Sequence, residues 1–97
     1  GMSAATACFL ALSPGDHVVA PKVMYWSLRN WLLTFATQWG LTVEFVDGDR
    51  TDAFAAAVRP GRTRLVWLET PANPTWAVSD IAAVAEIAHK AGALLGV

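Results

Sequence analysis

The chain has 97 residues, 55% hydrophobic and 15% charged, and seven Lys and Arg against eight Asp and Glu give a formal net charge of −1. That is one small domain at most, or a piece of a larger one, since domains run to about 100–150 residues. There is no basic footprint of the kind a phosphate backbone needs, which argues against a nucleic-acid partner.

Met2 to Leu12 is small and apolar with no breaker, which predicts a buried helix opened by Gly1-Met2 and ended by the turn Ser13-Pro14-Gly15-Asp16. His17–Ala20 reads as a short buried strand that Pro21 stops. From Val23 to about Trp39, Leu28, Trp31, Leu32, Phe35 and Trp39 recur at helical spacing, and Gly40 is placed as the C-cap. Leu41–Val46 is a second strand, closed by the turn Asp47-Gly48-Asp49. Thr51-Asp52 starts a helix over Ala53–Val58, which Pro60-Gly61 ends. Arg64–Leu68 is a third strand, and the loop Glu69–Pro74 follows it. Ser79 or Asp80 caps a last helix whose face carries Ile81, Val84, Ala85 and Ala88, with Gly92 just past its end. Ala93–Val97 begins a fourth strand. Strands of nearly continuous apolar residues alternating with helices predict an α/β fold, a mostly parallel sheet with helices on both faces.

Cys8, the single cysteine, and the separated His17 and His89 provide neither a disulfide framework nor metal-ligand spacing, so no metal site is expected. Cys8 reads as a small core residue and His17 and His89 as structural. The apolar stretches fall far short of the ~20 residues that span a bilayer, so no membrane partner and a cytoplasmic location are expected. Five Trp in so small and apolar a chain suit a segment covered by more protein or by another subunit, hence self-association.

In open parallel sheets ligands sit on the loops beyond the carboxyl ends of the strands, here Pro21–Tyr25, Asp47–Thr51 and Glu69–Thr75. From the residues alone, Tyr25 reads as packing at a helix start, Asn73 as an Asx turn ahead of Pro74, and Glu69 as a structural hydrogen bond to a loop. Gly1-Met2 is either native or the remnant of a cleaved tag.

The succession Gly1-Met2-Ser3-Ala4-Ala5, Pro14-Gly15-Asp16-His17-Val18-Val19-Ala20-Pro21, Tyr25, Glu69-Thr70-Pro71-Ala72-Asn73-Pro74-Thr75 and Asp80-Ile81 resembles the pyridoxal-phosphate-dependent Cys/Met metabolism enzymes. That family includes cystathionine γ-synthase, the cystathionine lyases and methionine γ-lyase. The resemblance covers essentially the whole chain and implies the middle of a fold type I pyridoxal-phosphate domain. It implies pyridoxal 5'-phosphate as cofactor, a small amino-acid substrate, elimination or replacement at Cβ or Cγ, and a homotetrameric enzyme. On the same ground Gly1 and Met2 hold the cofactor phosphate, Tyr25 stacks on the cofactor ring and serves in catalysis, Asn73 donates to its phenolate oxygen, and Glu69 lies near the pocket. The family's Schiff-base lysine and its pyridinium-pairing Asp match no residue present. Lys22 and Lys90, the two lysines, are both rejected for the first role. Residues 1–97 are therefore expected to be a fragment of the cofactor domain, inactive alone. The alternatives are a non-catalytic α/β module that works by association, or a pyridoxal enzyme of another family such as an aminotransferase. One departure is that Trp26-Ser27 follow Tyr25 where many members carry Gly-Gly.

Overall fold

The computed structural model describes residues 2–48, 50–69 and 80–97, of which residues 2–5 by backbone alone. The described elements are helix α1 (Met2–Leu10), strand β1 (His17–Pro21), helix α2 (Trp26–Trp31), a π-helical stretch (Leu32–Ala36), helix α3 (Thr37–Trp39), strand β2 (Thr42–Val46), helix α4 (Thr51–Ala57), strand β3 (Thr63–Trp67), helix α5 (Ile81–Lys90) and strand β4 (Leu94–Gly96). The strands form one sheet in the order β2-β1-β3-β4, with every pair parallel. The α/β class and the helices on both faces are as the sequence predicts.

Alternation along the central strands sorts side chains into two cores. Val18 and Ala20 of β1 with Leu65 and Trp67 of β3 join Phe9, Met24, Leu28, Leu32, Ala36 and Leu41 under α1 and the α2–α3 rod. Val19, Val66 and Leu68 join Phe54, Ala57, Val84 and Ala88 under α4 and α5. Phe9 and Phe54 are fully buried, and removing a side chain of that size from water contributes about 1.5–3 kcal/mol.

Helix ends follow from local chemistry. Asp80 caps α5 by accepting the Ala83 N–H at 3.0 Å. Both long helical segments close in Schellman turns: Gly40 (φ +109°) has Leu41 N–H on the Ala36 carbonyl and its own N–H on that of Thr37. Gly92 (φ +81°) repeats the pattern with Ala93 on Ala88 and its own N–H on His89. The turn at 13–16 is held at the amino edge of the sheet by Gly15 N–H on the Gly40 carbonyl, at 2.7 Å, and Thr42 N–H on that of Asp16, at 3.0 Å.

Three details differ from expectation. The second helix starts at Trp26 rather than Val23 and runs through the π-helical stretch, whose wider turn rotates the remainder of the helix. Ala36 therefore faces the core while Phe35 is half-exposed, its ring stacked on Trp31 at 5.5 Å. Cys8 is exposed, not a core residue; α1 is mostly small and apolar, and Phe9 takes the inward position. On α5, Val84 and Ala88 are buried but Ile81, at the first turn, is exposed. Asp49 lies outside the described residues.

Candidate functional site

Because all four strands are parallel, Pro21, Val46 and Trp67 end β1, β2 and β3 on one edge of the sheet. The turn at 13–16, which follows α1, occupies the opposite edge. The start of α2 and the ends of three strands thus converge where an open parallel sheet binds ligands.

Tyr25 is the residue before α2 (φ −52°, ψ 123°), and no side chain of the neighbouring sequence caps this helix. The cap comes from another strand: Glu69, two residues beyond β3, accepts the Tyr25 main-chain N–H on Oε2 at 2.8 Å across 44 residues of sequence. A carboxylate suits this position because helix starts carry free N–H donors and a positive dipole end. Glu69 is half-buried and the Tyr25 side chain is 46% exposed.

The two other loops are tied to the first. Lys22 Nζ stands 3.8 Å from Asp47 Oδ1, and the Lys22 N–H continues the β1–β2 ladder onto the Val46 carbonyl at 2.7 Å. Arg29 donates its Nε–H to the Lys22 carbonyl at 2.9 Å while its guanidinium lies 5.1 Å from the centre of the Phe45 ring. Gly48 lies against Pro21 so closely that a Cβ there would come within 2.8 Å of the Pro21 Cβ.

Of the residues singled out in the sequence, Tyr25 and Glu69 are brought together. Met2 is the first residue of α1. Gly1 and Asn73 lie outside the described residues. Lys22 stands on the site edge engaged with Asp47, and Lys90 is distant, in the last turn of α5, paired with Glu86 at 3.0 Å. Among the described residues no group of three His, Cys, Asp or Glu could hold a metal ion, and no described helix is long and apolar enough to cross a membrane. The sequence does not single out Arg29. Its seven-residue spacing from Lys22 across a strand end and a helix start carries no local signal.

The sequence model of the Cys/Met metabolism PLP-dependent enzymes matches residues 1–97. The chain belongs to that family. It is 39% identical over 90 residues to cystathionine gamma-lyase of Rattus norvegicus, covering 93% of this chain and 22% of that protein. With canavanine gamma-lyase of Rhizobium leguminosarum it shares 46% over 101 residues, all of this chain and 24% of the relative. The crystal structure of MetB from Corynebacterium glutamicum superposes with a TM-score of 0.91 at 35% identity, over 97% of this chain and 24% of that one. The chain thus spans about a quarter of the length of these relatives, and its fold is part of the fold type I architecture they share.

The cofactor of the Cys/Met metabolism enzymes, pyridoxal 5'-phosphate, is a flat pyridine ring carrying a phosphate. The described residues fit both parts. Tyr25 offers a half-exposed ring on a fixed main chain, suited to stacking on a flat heterocycle. The first turn of α1, beginning at Met2, carries the main-chain N–H groups that have no intrahelical acceptor at any helix start and suit an anion.

Proposed function

We propose that this chain forms the middle of the cofactor domain of a pyridoxal-phosphate enzyme acting on sulfur amino acids by β- or γ-elimination or replacement, a transsulfuration lyase or transferase. The observation that carries this reading is Tyr25, exposed at the carboxyl edge and fixed through its main chain by Glu69. When bound, the cofactor supplies an electron sink for the α-carbon of the amino acid. Gly1 and Met2, of which Met2 begins α1, hold its phosphate. Tyr25 stacks on its ring and presents a hydroxyl for proton transfer, the catalytic role assigned to it. Asn73 donates its amide to the phenolate oxygen, and Glu69 stands behind Tyr25. Lys22, engaged with Asp47, is assigned no covalent role, so residues 1–97 alone are inactive.

Trp26, 75% exposed, and Leu94, 70% exposed, favour self-association, which fits a homotetramer of the whole enzyme in the cytoplasm, without membrane or nucleic-acid partners. A non-catalytic association module is the second reading that this apolar surface favours.

The deciding experiment compares the 97-residue chain with the full-length protein, each mixed with pyridoxal phosphate and then with cystathionine, methionine or canavanine. The full-length protein is expected to release a 2-oxo acid from at least one of them. The short chain is expected to release none and to carry no cofactor covalently after borohydride. A full-length protein inert toward all three and blind to the cofactor overturns the enzyme reading in favour of the association module. A borohydride-trapped adduct on the short chain overturns its inactivity and points to Lys22.

A further inference from the structure

We infer that Glu69 is a positioning residue for Tyr25, setting where the tyrosine ring stands by accepting its main-chain N–H; what that ring does for the cofactor rests on the function proposed above. Tyr25 ends an irregular connection between β1 and α2, and its side chain has no hydrogen bond or ring contact among the described residues. Among the described residues its position therefore rests on its main chain. The start of that connection is held at Lys22, whose N–H meets the Val46 carbonyl at 2.7 Å and whose carbonyl accepts Arg29 Nε–H at 2.9 Å. These ties lie three residues before Tyr25. At Tyr25 itself the N–H meets Glu69 Oε2 at 2.8 Å, just beyond β3, and Glu69 is anchored to the sheet by the residue before it, since Leu68 N–H continues the ladder onto the Gly96 carbonyl at 2.8 Å.

Glu69 is thus the described side chain that ties the Tyr25 main chain itself to the end of β3 by a hydrogen bond, beside the core packing of Met24 one residue earlier. A charged acceptor makes this bond about twice as strong as a neutral one. Gln at 69 keeps an oxygen in reach of the N–H at reduced strength, and Ala removes it.

Two measurements on the full-length protein test the assignment. The first is hydrogen exchange of the Tyr25 amide without cofactor: Glu69→Ala is expected to speed it about tenfold or more, and Glu69→Gln far less. The second is a cycle of cofactor affinities over wild type, Glu69→Ala, Tyr25→Ala and the double variant. Tyr25→Ala keeps the main-chain N–H and removes only the ring. If Glu69 works through the ring, Glu69→Ala weakens cofactor binding about tenfold in the wild-type background and has almost no effect beside Tyr25→Ala. Equal weakening in both backgrounds means that Glu69 acts on the cofactor directly or on general stability, and overturns the inference. Unchanged amide exchange in Glu69→Ala overturns it as well. A wild-type protein that fails to bind the cofactor would overturn the proposed function instead, and the exchange measurement would still decide the positioning role.

Discussion

His17 Nδ1 and Thr63 Oγ1 meet at 2.7 Å between the first residues of β1 and β3, with both side chains sealed from solvent. The contact depends on an irregular register: His17 pairs with Thr63, but Val18 pairs with Leu65, so Arg64 is an extra residue in β3. Thr63 Oγ1 also accepts the Arg59 N–H at 2.8 Å, and His17 Nε2 lies 3.3 Å from Glu44 Oε1. In the neutral imidazole, the threonine hydroxyl donates to Nδ1 and Nε2–H donates to the carboxylate, which satisfies every member. Thr63→Val keeps the shape but leaves the buried His17 Nδ1 without its donor and the Arg59 N–H without its acceptor, so a loss of about 1–3 kcal/mol is expected. Thr63→Ser should lose much less. Urea unfolding midpoints at constant slope separate the two.

Gly96 lies under Trp67, where a Cβ would stand 2.7 Å from Cε3 and 2.8 Å from Cζ3 of the indole. That ring is locked against Phe9, with centroids 5.3 Å apart, and cannot yield without opening the core. Gly96→Ala is expected to destabilise by about 1–3 kcal/mol through overpacking. A thermal melt lowered by several degrees would register it, whereas Gly61→Ala, with open space around its Cβ but φ at +77°, should show only the smaller cost of backbone strain.

Asp80 accepts the Ala83 N–H at the start of α5. Asp80→Ala should cost about 1 kcal/mol and Asp80→Asn a small part of that, because asparagine caps nearly as well. Circular dichroism melts of the two variants check the ranking.

How far the sequence reveals this arrangement depends on how local each feature is. The strands were legible as short apolar runs between Gly, Pro and Asp turns, and the two Gly-closed helix ends as residues just past an apolar period. The rotation that exposes Phe35 was not, because a π-helical stretch is set by hydrogen bonds to the fifth residue back and leaves the apolar spacing unchanged. Nor was the outward placement of Cys8, since only the small Ser3 and Thr6 are polar in α1 and they orient it weakly. At the site, Tyr25 and Glu69 could each be singled out, but their hydrogen bond depends on where α2 begins relative to the end of β3, which only the packed sheet decides. Gly1 and Asn73 lie outside the described residues.

The Arg50 guanidinium holds the Asp52 carboxyl below its ordinary 3.8, through a hydrogen bond first and its charge second, with Nη2 to Oδ2 at 2.9 Å. A carboxylate with a lowered folded-state pKa contributes stability above its unfolded value, and that contribution is lost as pH falls through the folded value. The titration midpoint of Asp52, followed by carboxyl NMR shifts, should lie below 3.8 at low salt and return toward it in Arg50→Ala. Both groups are open to solvent, so about 1 M salt should have much the same effect as the substitution.

The strand order β2-β1-β3-β4 has a consequence for biosynthesis. β1 is made before either of its neighbours, and its second flank stays open until Thr63 begins β3, 42 residues after Pro21. At about 5–20 residues per second, ribosomes leave that apolar edge bare for roughly 2–8 s. During that interval HVVAP is a template for stray strand pairing, and chaperones or slow translation through residues 22–62 would matter most then.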